Sequence, residues 1–208
     1  MCIPFLLCCV MDIFSVDWED INKRSLEILS SEREMRKIEG VTFWCALRFI
    51  DRNKSIFEES SMRTGEFIHS FADLVALRDR ELDDLFGRLN INYFHFAFRW
   101  FICLLQREFP SQWLMTMWDT YISQPNIQEL FPHICFTYLQ SFRHELLHSA
   151  EFESCLLLLH RPPPSLWSAS HISTLLPNAL LSHKYHQLTV ALPLSVVCVL
   201  FPFSPYLL

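Results

Sequence analysis

Residues 93–107 read YFHFAFRWFICLLQR, and this stretch decides the fold. It is apolar nearly all round, with polar relief at His95, Arg99 and Gln106, which fall on one stripe at steps of four and seven. A segment of that length and pattern is a helix buried centrally, with one less greasy edge. Pro110 is expected to stop it, because proline has no amide hydrogen to give the helix.

Working outward, Ser111 is placed to cap a following helix that carries Trp113, Leu114, Met117, Trp118 and Tyr121 at helical spacing. Gln124-Pro125-Asn126 is a turn, residues 128–160 supply two further helices, and Arg161-Pro-Pro-Pro164 ends them. Ser170 to Leu181 is a last helix damaged by Pro177. Upstream, residues 80–89 place Leu82, Leu85, Phe86 and Leu89 on one face, and residues 66–77 do the same with Phe67, Phe71, Leu74 and Val75. Ser60 to Gly65 is expected as a loop. Residues 31–50 repeat Met35, Ile38, Val41, Cys45 and Phe49 at threes and fours, with Ser30 or Ser31 as N-cap. No strand alternation and no internal repeat interrupts the pattern, so the fold class is all-α.

Composition narrows the function. Three glycines among 208 residues disfavour hairpin-rich folds and phosphate-cradling loops. Neither GxGxxG nor GxxxxGK[ST] occurs, so the chain itself is not expected to bind a nucleotide. A net charge of −6, with basic residues scattered singly as in Arg78-Asp79-Arg80-Glu81, reads as solvated helix faces and excludes nucleic acid as the partner. The eight cysteines form no CxxC pair, and most lie in apolar runs, which fits reduced, buried thiols in a cytosolic protein.

The ends are less informative. Met1 to Val10 is apolar but lacks a basic flank and a cleavage site, and reads as core helix rather than signal peptide. Cys8-Cys9 as a palmitoylation site is the weaker alternative. Leu188 to Leu208 carries no charge, yet Pro193, Pro202 and Pro205 break it, so an irregular tail is expected over a membrane anchor.

Residues 94–119, FHFAFRWFICLLQREFPSQWLMTMWD, resemble the signature of the TBC domain of Rab GTPase-activating proteins, in its C-terminal subdomain. Phe98, Arg99, Trp100, Arg107, Glu108, Pro110, Trp118 and Asp119 match that family's run in order and spacing. Ile38-Glu39 and Phe43-Trp44-Cys45 upstream, and Phe152, Pro164, Trp167 and Ile172 to Leu176 downstream, extend the likeness over about residues 3–180. The resemblance implies an all-helical partial TBC domain over residues 1–180 and an apolar, proline-containing tail over 181–208. It also implies a Rab-type small GTPase as partner, a role in vesicle trafficking, no cofactor, and a cytoplasmic location, peripheral on endomembranes.

That family works through an arginine in I-x-x-D-x-x-R, which neutralises charge on the transferring phosphoryl group, and a glutamine in Y-x-Q-G, which orients the attacking water. No Asp in this chain has Arg three residues later. Y-x-Q occurs at Tyr138-Leu139-Gln140 and Tyr185-His186-Gln187, neither followed by Gly, and both beyond the Trp118-Asp119 pair where the family's glutamine lies before it. The sequence therefore begins about where the family continues past its catalytic glutamine, either because its start lies further upstream or as a truncated paralogue. It is expected to be a catalytically incompetent activator-like chain with no catalytic residue of its own, with a GTPase-binding or scaffold module as the alternative. The matching residues are expected to be structural: Arg99 and Asp119 as a positioned ion pair or capping contacts, and Trp100, Trp113 and Trp118 as core.

One other constellation competes. His144-Glu145-Leu146-Leu147-His148 fits H-E-x-x-H, in which two histidines one helical turn apart hold zinc and the glutamate serves as base. The extended motif's third ligand is missing, since Glu151 and Ser154 stand at those spacings. Zinc peptidase is thus the remote alternative, and His133-Ile134-Cys135 is not read as a site.

Overall fold

The computed structural model describes residues 32–54, 61–149, 151–163 and 168–191. The expectations for Met1 to Val10, Cys8-Cys9, Ser30 and Ser31, Pro164 and Trp167, and the stretch from 192 to 208 fall outside those residues. The described residues are helical with connecting turns: α1 Glu32–Arg52, α2 Ser61–Arg78, α3 Arg80–Arg88, α4 Phe94–Cys103, α5 Ser111–Ser123, α6 Ile127–Gln140, α7 Arg143–Leu147, α8 Phe152–His160 and α9 Ala169–Ala191. The all-α expectation holds.

The chain divides into two compact units, one of residues 1–58 and 109–125, the other of residues 59–108 and 126–208. In the first, Phe49 of α1 meets Trp118 of α5 with ring centroids 5.2 Å apart. Arg52 donates to the Ile122 carbonyl (3.2 Å). Leu114, Met117, Trp118 and Tyr121 are buried at the i, i+3, i+4, i+7 spacing of one helix face. On α1 the buried set is Ile38, Thr42 and Phe49, whereas Val41 and Cys45, expected inside, are exposed.

The second unit is built around the opening motif. Trp100 of α4 is 0% exposed, with Phe96 at 4.9 Å and Tyr138 of α6 at 5.0 Å between ring centroids. Phe71 of α2 and Phe131 of α6 complete the aromatic core around Phe101. Helix α6 lies between α2 and α9.

Several boundaries differ from expectation. Helix α4 ends at Cys103, well before Pro110, because Leu104 and Leu105 adopt left-handed backbone with φ 49° and 56°. That conformation costs a leucine about 1–2 kcal/mol. Burial of both side chains, at 2% and 0% exposure, returns about 1.5–3 kcal/mol each. Gln106 consequently leaves the stripe of His95 and Arg99. Pro110, not Ser111, occupies the N-cap of α5, without a side-chain cap bond. Residues 128–160 hold parts of three helices rather than two, and α2 begins at Ser61, inside the expected loop. Helix α9 continues through Pro177 to Ala191, so residues 181–191 are helical. Buried Ile172, Leu175, Leu176 and Ala179 flank the proline and hold the helix across it. No described helix is long and apolar enough to cross a membrane.

Candidate functional site

The signature residues separate into those that build and those that face out. Phe98 is 45% exposed and lies in line with Phe94 and Ile102, at four-residue steps along the outer face of α4. Trp100 and Trp118 are buried, Trp113 is half-buried, and Asp119 and Arg107 are exposed.

Arg99 stands at the edge of the core. Its Nε donates to Glu108 Oε1 at 2.7 Å, and its Nη2 lies 2.6 Å from the same oxygen. Nη2 also donates to the His160 carbonyl (3.1 Å) at the C-terminus of α8, where helix carbonyls lack partners and a cation is favoured. The ion pair expected of Arg99 is therefore made with Glu108, nine residues along. The left-handed turn at Leu104 and Leu105 brings that glutamate back under α4.

Glu108 has a fully buried side chain, and its Oε2 has no hydrogen-bond partner. Burial raises its pKa, and Arg99 and Arg107 offset that only in part. Its neighbours respond in kind. Burial and then the Glu108 charge push the Cys135 thiol well above its ordinary range, and the Tyr138 phenol moves the same way.

A second polar cluster escaped the sequence. Asp79 caps α3 by accepting from the Leu82 amide (3.2 Å), and also accepts from Gln140 Nε2 (2.6 Å) and Arg143 Nε (2.6 Å). Arg143 bonds Glu81 as well. Asp79 is 6% exposed, so the Arg78-Asp79-Arg80-Glu81 run is not a solvated face throughout. Burial raises the Asp79 pKa, but the bonds from Arg143, Gln140 and the Leu82 amide outweigh it and leave it lowered. Gln140, the glutamine of the first Y-x-Q, is thus committed to a buried cap. Gln187, the glutamine of the second, lies 3.5 Å from Glu129 Oε2.

The HELLH segment forms α7, a helix of five residues that ends at Leu147, with His148 past its last turn. The two rings do approach, at 4.2 Å between centroids, but His148 Nδ1 is 2.7 Å from the His144 carbonyl. Among the described residues no group of three or more His, Cys, Asp or Glu is arranged to hold a metal ion. The zinc-peptidase alternative has no support. Of the four described cysteines, Cys135 and Cys155 are buried, Cys103 is half-buried and Cys45 is exposed.

A third assembly lies in the second unit, where α2, α6 and α9 enclose a groove of about 800 Å³. His133 of α6 is 4% exposed, with its Nδ1 2.9 Å from Ser182 Oγ, and the rings of His183 and His186 stand 5.2 and 5.4 Å away. Burial, with the neighbouring histidines and Arg78, pulls the His133 pKa down to about 3. Its ring is therefore neutral near pH 7.

The Arg99–Glu108 turn and the helix carrying Trp118-Asp119 thus place the signature residues in an all-helical setting. The Rab-GTPase-TBC domain family model matches residues 10–147, and the chain belongs to that family. It is 28% identical over 177 residues to TBC1 domain family member 22B of Homo sapiens, covering 85% of this chain and 34% of that protein. To GTPase-activating protein gyp1 of Schizosaccharomyces pombe it is 26% identical over 155 residues, covering 74% and 30%. The chain thus spans about a third of the length of these relatives. Among solved structures, the Ypt/Rab-GAP domain of Gyp1p superposes with a TM-score of 0.78 at 23% identity, over 89% of this chain and 58% of that one. That likeness shows the shared all-α fold.

Proposed function

We propose that these 208 residues form a TBC module that engages a Rab-type small GTPase in vesicle trafficking without accelerating its GTP hydrolysis. One observation carries the second half. Neither I-x-x-D-x-x-R nor Y-x-Q-G occurs in these residues, and Arg99 of the signature is held by the buried Glu108 carboxylate and the His160 carbonyl. An arginine finger contributes about 10³–10⁵ in rate, or about 4–7 kcal/mol. Swinging Arg99 out to a γ-phosphate would strand Glu108 unpaired in the core, at a cost of about 3–5 kcal/mol. Discounted to about 3 kcal/mol for the partial exposure of Arg99, that cost offsets roughly half of the finger's gain. Gln140 is tied to Asp79 in the same way.

The binding half rests on family membership. Equilibrium binding of the full chain to a panel of Rab-type GTPases tests it, each loaded with GDP or with a non-hydrolysable GTP analogue. At least one is expected to bind preferentially in the analogue-loaded form. If no member of a broad panel binds in either form, GTPase engagement is wrong for this chain.

A further inference from the structure

The α2 rim of the groove between α2, α6 and α9 is acidic, with Arg78 set back against Tyr185 of α9. Glu66 and Asp73 of α2 and Glu129 of α6 line the groove, and no lysine or arginine is among its lining residues. Glu66 and Asp73 are exposed and seven residues apart, which places them on one face of α2 about two turns, or roughly 10 Å, from each other. Between and below them the lining is apolar, through Phe67, Leu74, Leu77 and Pro132. Leu77 is 60% exposed, a large side chain left facing water. The His133 ring at the floor is held neutral by burial and by its histidine neighbours, so it does not offset the carboxylates near pH 7.

We propose that this groove docks a cationic amphipathic helix, a segment with lysine or arginine two turns apart on either side of an apolar side chain. Its apolar face covers Leu74, Leu77 and Phe67, and its two cations meet Glu66 and Asp73. Helix-in-groove recognition takes its anchoring from such a face, and the rim charges set its sign and orientation. A neutral or acidic helix fits the floor equally but leaves the carboxylates unmatched, so the charge pattern commits the groove to a basic partner. The inference is independent of GTPase engagement.

The test uses the full chain and a fluorescein-labelled peptide of about 14 residues, leucine on one face and lysine at two-turn spacing, with a Leu/Glu peptide as control. By fluorescence anisotropy the Leu/Lys peptide is expected to bind and the control not, with affinity falling as salt rises. Reversing the rim with Glu66→Lys and Asp73→Lys should weaken the Leu/Lys peptide about tenfold and create binding of the control. The same number of reversals at exposed Glu151 and Glu153, away from the groove, should change neither. Leu77→Ser, which removes the apolar contact without adding charge, should weaken the Leu/Lys peptide as well. Equal binding of both peptides, no binding of either, or equal loss from the distant reversals would overturn the proposal. The gain of control-peptide binding shows that the reversed variant is folded. A self-associating chain whose assembly is abolished by E66K/D73K, with no peptide bound by the wild type, would mean a second copy is the occupant instead, and would also overturn it.

Discussion

Arg99→Met removes the cation over a carboxylate that has 0% side-chain exposure and one oxygen already without a partner. The methionine fills similar space, so packing is largely kept. Breaking a buried pair in this way costs about 3–5 kcal/mol, and losing the bond to the His160 carbonyl adds about 1 kcal/mol. Arg99 is itself 28% exposed, and water reaching the site discounts the sum to about 3 kcal/mol. Urea denaturation followed by far-UV circular dichroism measures this, since such a loss is a large fraction of an ordinary domain's stability. Glu108→Gln in the Arg99→Met background should recover about half of it, because a neutral amide is cheaper to bury than a stranded carboxylate. The sign with pH follows from the raised Glu108 pKa: protonation favours the folded state, so this group's contribution is greatest at low pH and is lost as pH rises through the folded value. The Arg99→Met deficit should therefore shrink as pH falls below neutrality. A deficit under about 1 kcal/mol, or strict additivity with Glu108→Gln, would refute the assignment of Glu108 as the buried partner.

Other outcomes follow from the same geometry. Asp79→Ala should cost about 2–3 kcal/mol in the same melts, by removing the α3 cap, leaving Gln140 without its acceptor and Arg143 with Glu81 alone. The lowered Asp79 pKa means that its stabilisation is present above the unfolded value and lost as pH falls through the folded one, so the variant's deficit should disappear in acid. His133 acts over a different window. With its pKa pulled down to about 3, protonation favours the unfolded chain, and stability should decline as pH falls from about 6.5 toward 3. His133→Phe should flatten that part of the profile. Gln140→Ala should reduce stability by about 1 kcal/mol and leave GTP hydrolysis by any bound GTPase unchanged, which separates a capping glutamine from a catalytic one.

Much of the fold was legible because burial follows helical period. The 80–89 segment is recovered as α3 with Leu82, Leu85 and Phe86 inside, and the Tyr93 to Arg107 stretch does supply the core around Trp100. What was not legible came from long-range geometry. Two leucines in left-handed backbone contradict local preference, so nothing near Leu104 announced the early end of α4 or the return of Glu108 to Arg99. Helix α9 crosses Pro177 because burial on both sides outweighs a breaker that dominates any local reading. Asp79, among alternating charges, looked solvated; its partners Gln140 and Arg143 lie 61 and 64 residues away. The HELLH pattern is local and complete, yet α7 ends before its second histidine. The groove's three carboxylates come from two helices far apart in sequence, a juxtaposition that no motif encodes.

The proposal that most needs testing is that this chain engages a Rab-type GTPase without accelerating its hydrolysis, since neither I-x-x-D-x-x-R nor Y-x-Q-G occurs in its sequence. Single-turnover GTP hydrolysis, measured by phosphate release from Rab-type GTPases with the full chain at saturating concentration, tests it most directly. The account predicts a rate equal to that of each GTPase alone. An acceleration on the order of a hundredfold, abolished by substituting any arginine of this chain, would contradict it.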